Sequence, residues 1–283
     1  MSANSNTSYQ IILEYIWLDA SNNTRSKTKV ILDNSDNYLN QLNEKYSDPS
    51  KLPIWNYDGS STNQATTEES EIILKPVKVV SDPFRLNSSS TIKSYLVLCE
   101  CYLPNGDPHK SNTRYLAKQL FDQVSDHTEP MFGLEQEFFI SRKVGLNLLP
   151  VSFPNNQAIP APQADYYCGV GGSNIYGREL IEEILKKLLF ADIPITGLNA
   201  EVAPAQWEFQ VCSIGIDAAD SLILLRYICN RVLEKQQLYM DIAAKPVTGD
   251  WNGSGCHINY STSLMRAEGG FKYIETAIKN LSK

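Results

Sequence analysis

Glu135 and Glu137 stand two residues apart in Gly133-Leu134-Glu135-Gln136-Glu137-Phe138-Phe139. In a strand that spacing puts both carboxylates on one face, about 6 to 7 Å apart, which suits two neighbouring cations better than one chelated ion. A solvated acidic edge is the plain alternative. Against it, Phe132, Leu134, Phe138 and Phe139 surround the pair, and acids among apolar neighbours need a partner. A second pair, Glu201 and Glu208, flanks Ala203-Pro204-Ala205. If that segment reverses the chain, the two carboxylates approach across a hairpin; otherwise they mark a charged strand face. Four inward carboxylates would repel one another, and hard divalent cations such as Mg²⁺ or Mn²⁺ are the usual compensation. His257 lies in the glycine-rich run Lys245 to Ser261, where it is either structural or the nitrogen ligand of a mixed O/N metal set. Gly249, Gly253 and Gly255 would allow close backbone approach to a small molecule. The run matches neither a P-loop nor a dinucleotide fingerprint, so glycine content alone assigns no nucleotide.

These residues need a scaffold, and the pattern changes once along the chain. From Tyr9 to Tyr102 short apolar runs read as strands: Ile11 to Leu18, Lys29 to Leu32, Glu71 to Leu74 and Ser94 to Cys99. The turn chemistry of Leu103 to Pro108 follows, so the expected units are residues 1–106 and 107–283. In the second, Asn112 caps a helix through Leu116, Leu120, Phe121 and Val124, and Met131 to Ile140 is a strand. Helices are expected over Gly177 to Ala191 and Asp217 to Met240, with strands Leu198 to Val202 and Gln206 to Cys212 between them. Phe271 to Leu281 is an amphipathic helix without a C-capping glycine. Ser/Asn-rich patches occur at Asn4 to Ser8 and Asn87 to Ser90.

Composition narrows the classes. With 42% hydrophobic residues and a net charge of −7, the chain of 283 residues has enough apolar content for two cores and lacks the basic surplus of a nucleic-acid or anionic-membrane binder. Its polar N-terminus and the lack of any run of about 20 apolar residues lead to the expectation of a cytoplasmic protein. Six scattered cysteines read as reduced thiols, and three histidines are too few for a histidine-rich metal site.

Six segments together resemble glutamine synthetases of the eukaryotic type. They are Trp55-Asn56-Tyr57-Asp58-Gly59-Ser60-Ser61-Thr62, Asp82-Pro83-Phe84-Arg85, Gly133 to Phe138, Tyr166 to Gly171, Asn199 to Phe209 and Lys245 to Ser261. The resemblance implies an α+β fold: a small β-grasp domain followed by an α/β catalytic domain whose curved antiparallel sheet holds the metals. It implies one cation served by Glu135 and His257 and another by Glu137, Glu201 and Glu208, so these five side chains should converge in one cleft. ATP would be held by Glu135, by Glu208, Phe209, Gln210, Val211, Cys212 and Ser213, and by Asn259, Tyr260 and Ser261. Glutamate would be held by Asp250, Trp251 and Gly253. Asp58 would lie away from its own chain's metals and reach a neighbouring subunit's site, binding ammonium and taking its proton. That arrangement requires a homo-oligomer, in the family a decamer of stacked rings. The implied reaction transfers the γ-phosphate of ATP to the glutamate side chain, and ammonia then displaces phosphate from the acyl phosphate.

The chain departs from the family in two places. Gly145 to Pro162 lacks the usual tryptophan-containing stretch. Family members also continue past the position of Lys283, into segments with arginines for phosphate and glutamate and a further metal-binding glutamate. The expectation is therefore a C-terminally incomplete catalytic domain, and no measurable glutamine synthesis by residues 1–283 alone. The competing reading is a catalytically inactive homologue with a structural or regulatory role in an oligomer; a ligase using another amine is the weaker rival.

Overall fold

The structure is a computed structural model and describes residues 8–34, 39–85, 91–123, 128–153, 161, 165–172 and 174–283. Val124, the patches at 4–7 and 87–90, and residues 154–160 and 162 of the divergent segment lie outside the described residues. The chain forms two compact units, Met1–Asp122 with Phe190–Asp192, and Gln123–Leu189 with Ile193–Lys283.

In the first unit β1 (Tyr9–Leu18) and β2 (Thr24–Asp33) form an antiparallel hairpin, followed by α1 (Leu39–Ser47), β3 (Trp55–Asp58), β4 (Glu71–Ser81) and β5 (Ile92–Tyr102). The sheet order is β2-β1-β5-β4-β3, with β1 and β5 parallel at its centre. This is a β-grasp arrangement. Strand alternation explains its core: Ile11, Leu13, Tyr15 and Trp17 of β1 point one way and pack with Leu42 of α1, Ile72 and Leu74 of β4, and Val97 and Cys99 of β5. Lys27 on β2 donates to the Asn56 carbonyl on β3 at 3.0 Å and lies 4.0 Å from the centre of the Trp55 ring. A side chain from one end of the sheet order thus reaches across to the other, as a strongly curled sheet allows.

Buried Glu14 accepts from Thr28 and from Arg85, whose guanidinium also reaches Asp82 at 2.9 Å. Burial pushes the Glu14 carboxyl up, but the hydrogen bonds from Thr28, Ser26 and Arg85 outweigh it and hold the group below its ordinary value. A depressed folded-state value stabilises the fold above the unfolded-state value and loses that contribution as pH falls through the folded one. We expect Glu14→Gln to flatten the acid limb of the urea-midpoint profile below about pH 4.5, where the wild type loses stability with falling pH.

α2 (Thr113–Gln123) begins as expected, with the Tyr115 N–H donating to Asn112 Oδ1 at 3.1 Å. Its apolar stripe is not in a core: Leu116 and Leu120 are 60% and 64% exposed.

The second unit is built on β6 (Met131–Val144), joined at its far end by β7 (Asn147–Pro150). After α3 (Arg178–Phe190), β8 (Ile195–Ala200) and β9 (Gln206–Ile214) form a hairpin whose second strand pairs antiparallel with β6. α4 (Ile216–Leu233) covers one face of this sheet. The helix expected through Met240 stops early. A 3-10 turn, Glu234–Gln236, leads to Gln237 in the left-handed region (φ 58°), and β10 (Leu238–Asp241) pairs with β6 instead. Local spacing continued a helical pattern there, but the open edge of β6 supplies backbone partners for Leu238 to Asp241, and Met240 and Asp241 become buried.

The glycine-rich run ends in a strand not expected from the sequence, β11 (Cys256–Ser261), on that same edge of β6. α5 (Ser263–Arg266) and α6 (Phe271–Leu281) follow, the latter over the expected residues. The sheet curls into an antiparallel-rich half-barrel, an α+β architecture.

Candidate metal and substrate site

Register decides which side chains meet. In antiparallel pairing, residues directly opposite share a face. β6 places Glu137 opposite Glu208 and Glu135 opposite Gln210, while β11 places His257 opposite Glu135. The hairpin turn at Ala203-Pro204-Ala205, with Ala205 at φ 64°, returns the chain so that Glu201 rejoins this face. The five side chains separated by more than 120 positions gather into two groups sharing Glu208. Ligand atoms of Glu135, Glu208 and His257 lie within 4.8 Å of one another, as do those of Glu137, Glu201 and Glu208.

The acids are held by neutral donors. Glu135 accepts from Asn259 Nδ2 at 2.6 Å, Glu137 from the Gly255 N–H at 2.9 Å, Glu208 from Gln210 Nε2 at 2.8 Å, and Glu201 from Asn199 Nδ2 at 2.9 Å and the Val202 N–H at 3.0 Å. Among the described residues no lysine or arginine forms an ion pair with these four acids; Glu135 faces His257 Nδ1 at 3.6 Å. Burial pushes the Glu201 carboxyl up, against the Val202 and Asn199 donors, and the charges of Glu137 and Glu208 push it further. Repelling carboxylates beside one imidazole form a hard O-rich donor set, which fits Mg²⁺ or Mn²⁺.

The opposite face of β6 belongs to the helix. Gln136, between the two acids in sequence, points away from them, where its Oε1 accepts from Arg226 Nε of α4 at 2.8 Å. Its Nε2 donates to the Gly255 carbonyl at 3.2 Å, linking α4 to the start of β11. Neither residue stood out in the sequence. Period-two alternation could have turned Gln136 inward, but nothing local identified Arg226 as its partner.

Of the residues expected around ATP, Glu208, Gln210 and Cys212 of β9 and Asn259 of β11 share the carboxylate face by register, and Ser261 follows Asn259 by alternation. Phe209 and Val211 are fully buried on the other face, Phe209 stacked with Phe138 at 6.1 Å, so only their backbones can meet a ligand. Ser213 and Tyr260 share that second parity; Ser213 donates to Asp217, and Tyr260 packs its ring on Phe132.

Asp250 is exposed, while Trp251 is half-buried with its ring 4.8 Å from Phe153. The glycines have internal reasons beyond ligand approach: Gly249 takes φ 94°, and a Cβ on Gly253 would meet the Ala244 carbonyl at 2.9 Å. Tyr167, exposed, has its phenol pushed up by Cys168 and then by Glu201.

Asp58 belongs to the first unit. Its carboxylate accepts from the Ser60 hydroxyl at 2.6 Å, the Ser60 N–H at 3.0 Å and the Ser61 hydroxyl at 3.2 Å. These bonds, led by the Ser60 hydroxyl, hold the exposed carboxyl below its ordinary value.

A β-grasp unit and, following it in the chain, a curled antiparallel-rich sheet with an acidic, imidazole-bearing face define an α+β protein with a candidate divalent-cation site. The chain matches the family described as "Glutamine synthetase, catalytic domain" over residues 110–281. It is 46% identical to the glutamine synthetase of Neurospora crassa over 274 residues, covering 96% of this chain and 70% of that protein. It is 42% identical to the glutamine synthetase cytosolic isozyme 1-1 of Oryza sativa subsp. japonica, covering 98% and 73%. Against the glutamine synthetase nodule isozyme of Lupinus angustifolius the identity is 42%, covering 99% and 84%. The chain belongs to the glutamine synthetase family, a family of ligases.

Proposed function

We propose that the protein takes part in the ATP-dependent joining of ammonia to the side-chain carboxylate of glutamate. The observation that carries this reading is the pair of acidic groups sharing Glu208, with no lysine or arginine ion-paired to their carboxylates among the described residues. Glu135 and His257, with Glu208, would hold one divalent cation, and Glu137 and Glu201, again with Glu208, another. Such ions supply positive charge beside the phosphates of ATP and the carboxylate under attack.

The chain's own groups do the rest. Exposed edges and backbone of β9 and β11 line the nucleotide, with Gln210 and Asn259 also fixing the Glu208 and Glu135 carboxylates. Asp250, Trp251 and Gly253 form the glutamate loop and hold its reacting carboxylate against the phosphate donor. Asp58 of a neighbouring subunit, kept ionised by Ser60 and Ser61, attracts ammonium by charge and accepts its proton as ammonia attacks the acyl phosphate, releasing phosphate. The protein would then work as a homo-oligomer, with stacked rings the expected assembly. Its compartment would be the cytoplasm; one relative bears the name of a cytosolic isozyme, and among the described residues no helix is long and apolar enough to cross a membrane.

The test uses the chain directly. Calorimetry should show Mn²⁺ binding, with ATP and L-glutamate binding in its presence. ATP or glutamate affinity that is unchanged when Mn²⁺ is removed by chelation would contradict the reading.

A further inference from the structure

We propose that Gln206 is a positioning residue for glutamate, clamping the Trp251–Gly253 loop to the turn that carries Glu201; this rests on that loop being the glutamate site. Gln206 opens β9, two residues before Glu208 and on the same strand face, and is 1% exposed. Its Oε1 accepts from the Ala203 N–H at 3.2 Å and from Asn252 Nδ2 at 3.0 Å, and its Nε2 donates to the Gly253 carbonyl at 2.7 Å. The amide orientation is dictated by these partners, because the reversed one would set donor against donor at Ala203 and acceptor against acceptor at Gly253. Its backbone closes the same turn: Gln206 N–H donates to Ala203 O at 3.2 Å, and Glu201 N–H donates to Gln206 O at 2.9 Å.

The far side of the loop is fixed independently of Gln206. Ser254 N–H donates to Ala244 O at 3.0 Å, Gly255 N–H reaches Glu137, and Gly253 has no room for a Cβ against Ala244. The far side is thus tied to Glu137 through Gly255, and among the described residues it is the carboxamide of Gln206 that joins the Glu201 turn to residues 252 and 253. A buried carboxamide is tolerated because its bonds are made, and a Met of similar length would fill the space without making them. The role predicts selectivity: glutamate binding depends on the clamp, while cation binding depends on carboxylates whose donors are Asn259, Gly255, Gln210, Asn199 and Val202 rather than the Gln206 side chain.

The experiment measures L-glutamate and Mn²⁺ affinity by calorimetry, glutamate at saturating Mn²⁺, in wild type, Gln206→Met, Asn252→Ala, the double variant and Trp251→Ala. Gln206→Met and Asn252→Ala should each weaken glutamate about tenfold, the scale of one lost hydrogen bond, with Mn²⁺ affinity within about twofold. Because the two side chains share a bond, the double variant should be less than additive. Hydrogen exchange at the Ala203 amide should accelerate in Gln206→Met. Asn252→Ala leaves the buried turn intact and serves if Gln206→Met folds poorly. If Trp251→Ala weakens glutamate but Gln206→Met and Asn252→Ala do not, the clamp is overturned while the loop assignment stands. If Trp251→Ala also leaves glutamate affinity unchanged, the loop assignment itself fails and takes the clamp with it. Parallel loss of Mn²⁺ and glutamate affinity would make Gln206 a general structural residue and overturn the positioning role.

Discussion

Glu208→Gln is expected to weaken Mn²⁺ binding at both cation positions at once, because Glu208 is the one acid common to the two groups. Loss of an outer hydrogen-bond partner costs a metal site roughly 10- to 100-fold in affinity, and loss of a shared ligand should exceed that. Glu135→Gln should weaken one position only and leave the other within severalfold. The same change has an opposite effect on the metal-free fold. Glu201 is pushed upward partly by the charges of Glu137 and Glu208, so removing one charge relieves repulsion. The urea midpoint of metal-free Glu208→Gln should therefore rise above that of metal-free wild type, while Mn²⁺ should stabilise wild type far more than the variant. Equal stabilisation of both by Mn²⁺ would place the ions elsewhere.

The second large effect concerns Asp58. In a chain extended to the length of its relatives, Asp58→Ala should lower glutamine synthesis by roughly 10² or more, the scale for a positioned general base, with Mn²⁺ affinity unchanged. Serine contacts hold this carboxyl in its charged form, which favours attraction of an ammonium cation. The loss should accordingly be deepest at limiting ammonium. Because the proposed site is shared between subunits, mixing Asp58→Ala and Glu208→Gln variants during assembly should restore part of the activity that neither has alone. Undiminished synthesis by Asp58→Ala at limiting ammonium would reject the assigned role, and failure of the mixture would reject the shared site.

How much of this was readable in the sequence follows from the range of each interaction. Glu135 and Glu137 were legible because strand alternation is local, and the Glu201–Glu208 approach because a proline-centred turn reverses the chain within a few residues. The meeting of His257 with Glu135 depends on β11 lying against β6 across more than 120 positions, and its flanking glycines disguised the strand. β10 failed for a related reason: Leu238 to Asp241 continue a helical spacing, and only the vacant edge of β6 makes them a strand. Gln136 and Gln206 carry no charge pattern to single them out. Their importance lies in donors and acceptors contributed by α4 and by the 251–253 loop, which only the assembled unit brings within reach. The buried faces of Phe209 and Val211 show the converse: family resemblance points to a segment, while alternation decides which of its side chains can face a ligand.

The most direct measurement is anomalous diffraction from crystals grown with Mn²⁺. Two Mn²⁺ peaks are predicted, one among Glu135, Glu208 and His257 and the other among Glu137, Glu201 and Glu208, with both vanishing in Glu208→Gln. A Mn²⁺ peak bound away from these five side chains, or none at saturating Mn²⁺, would contradict the account.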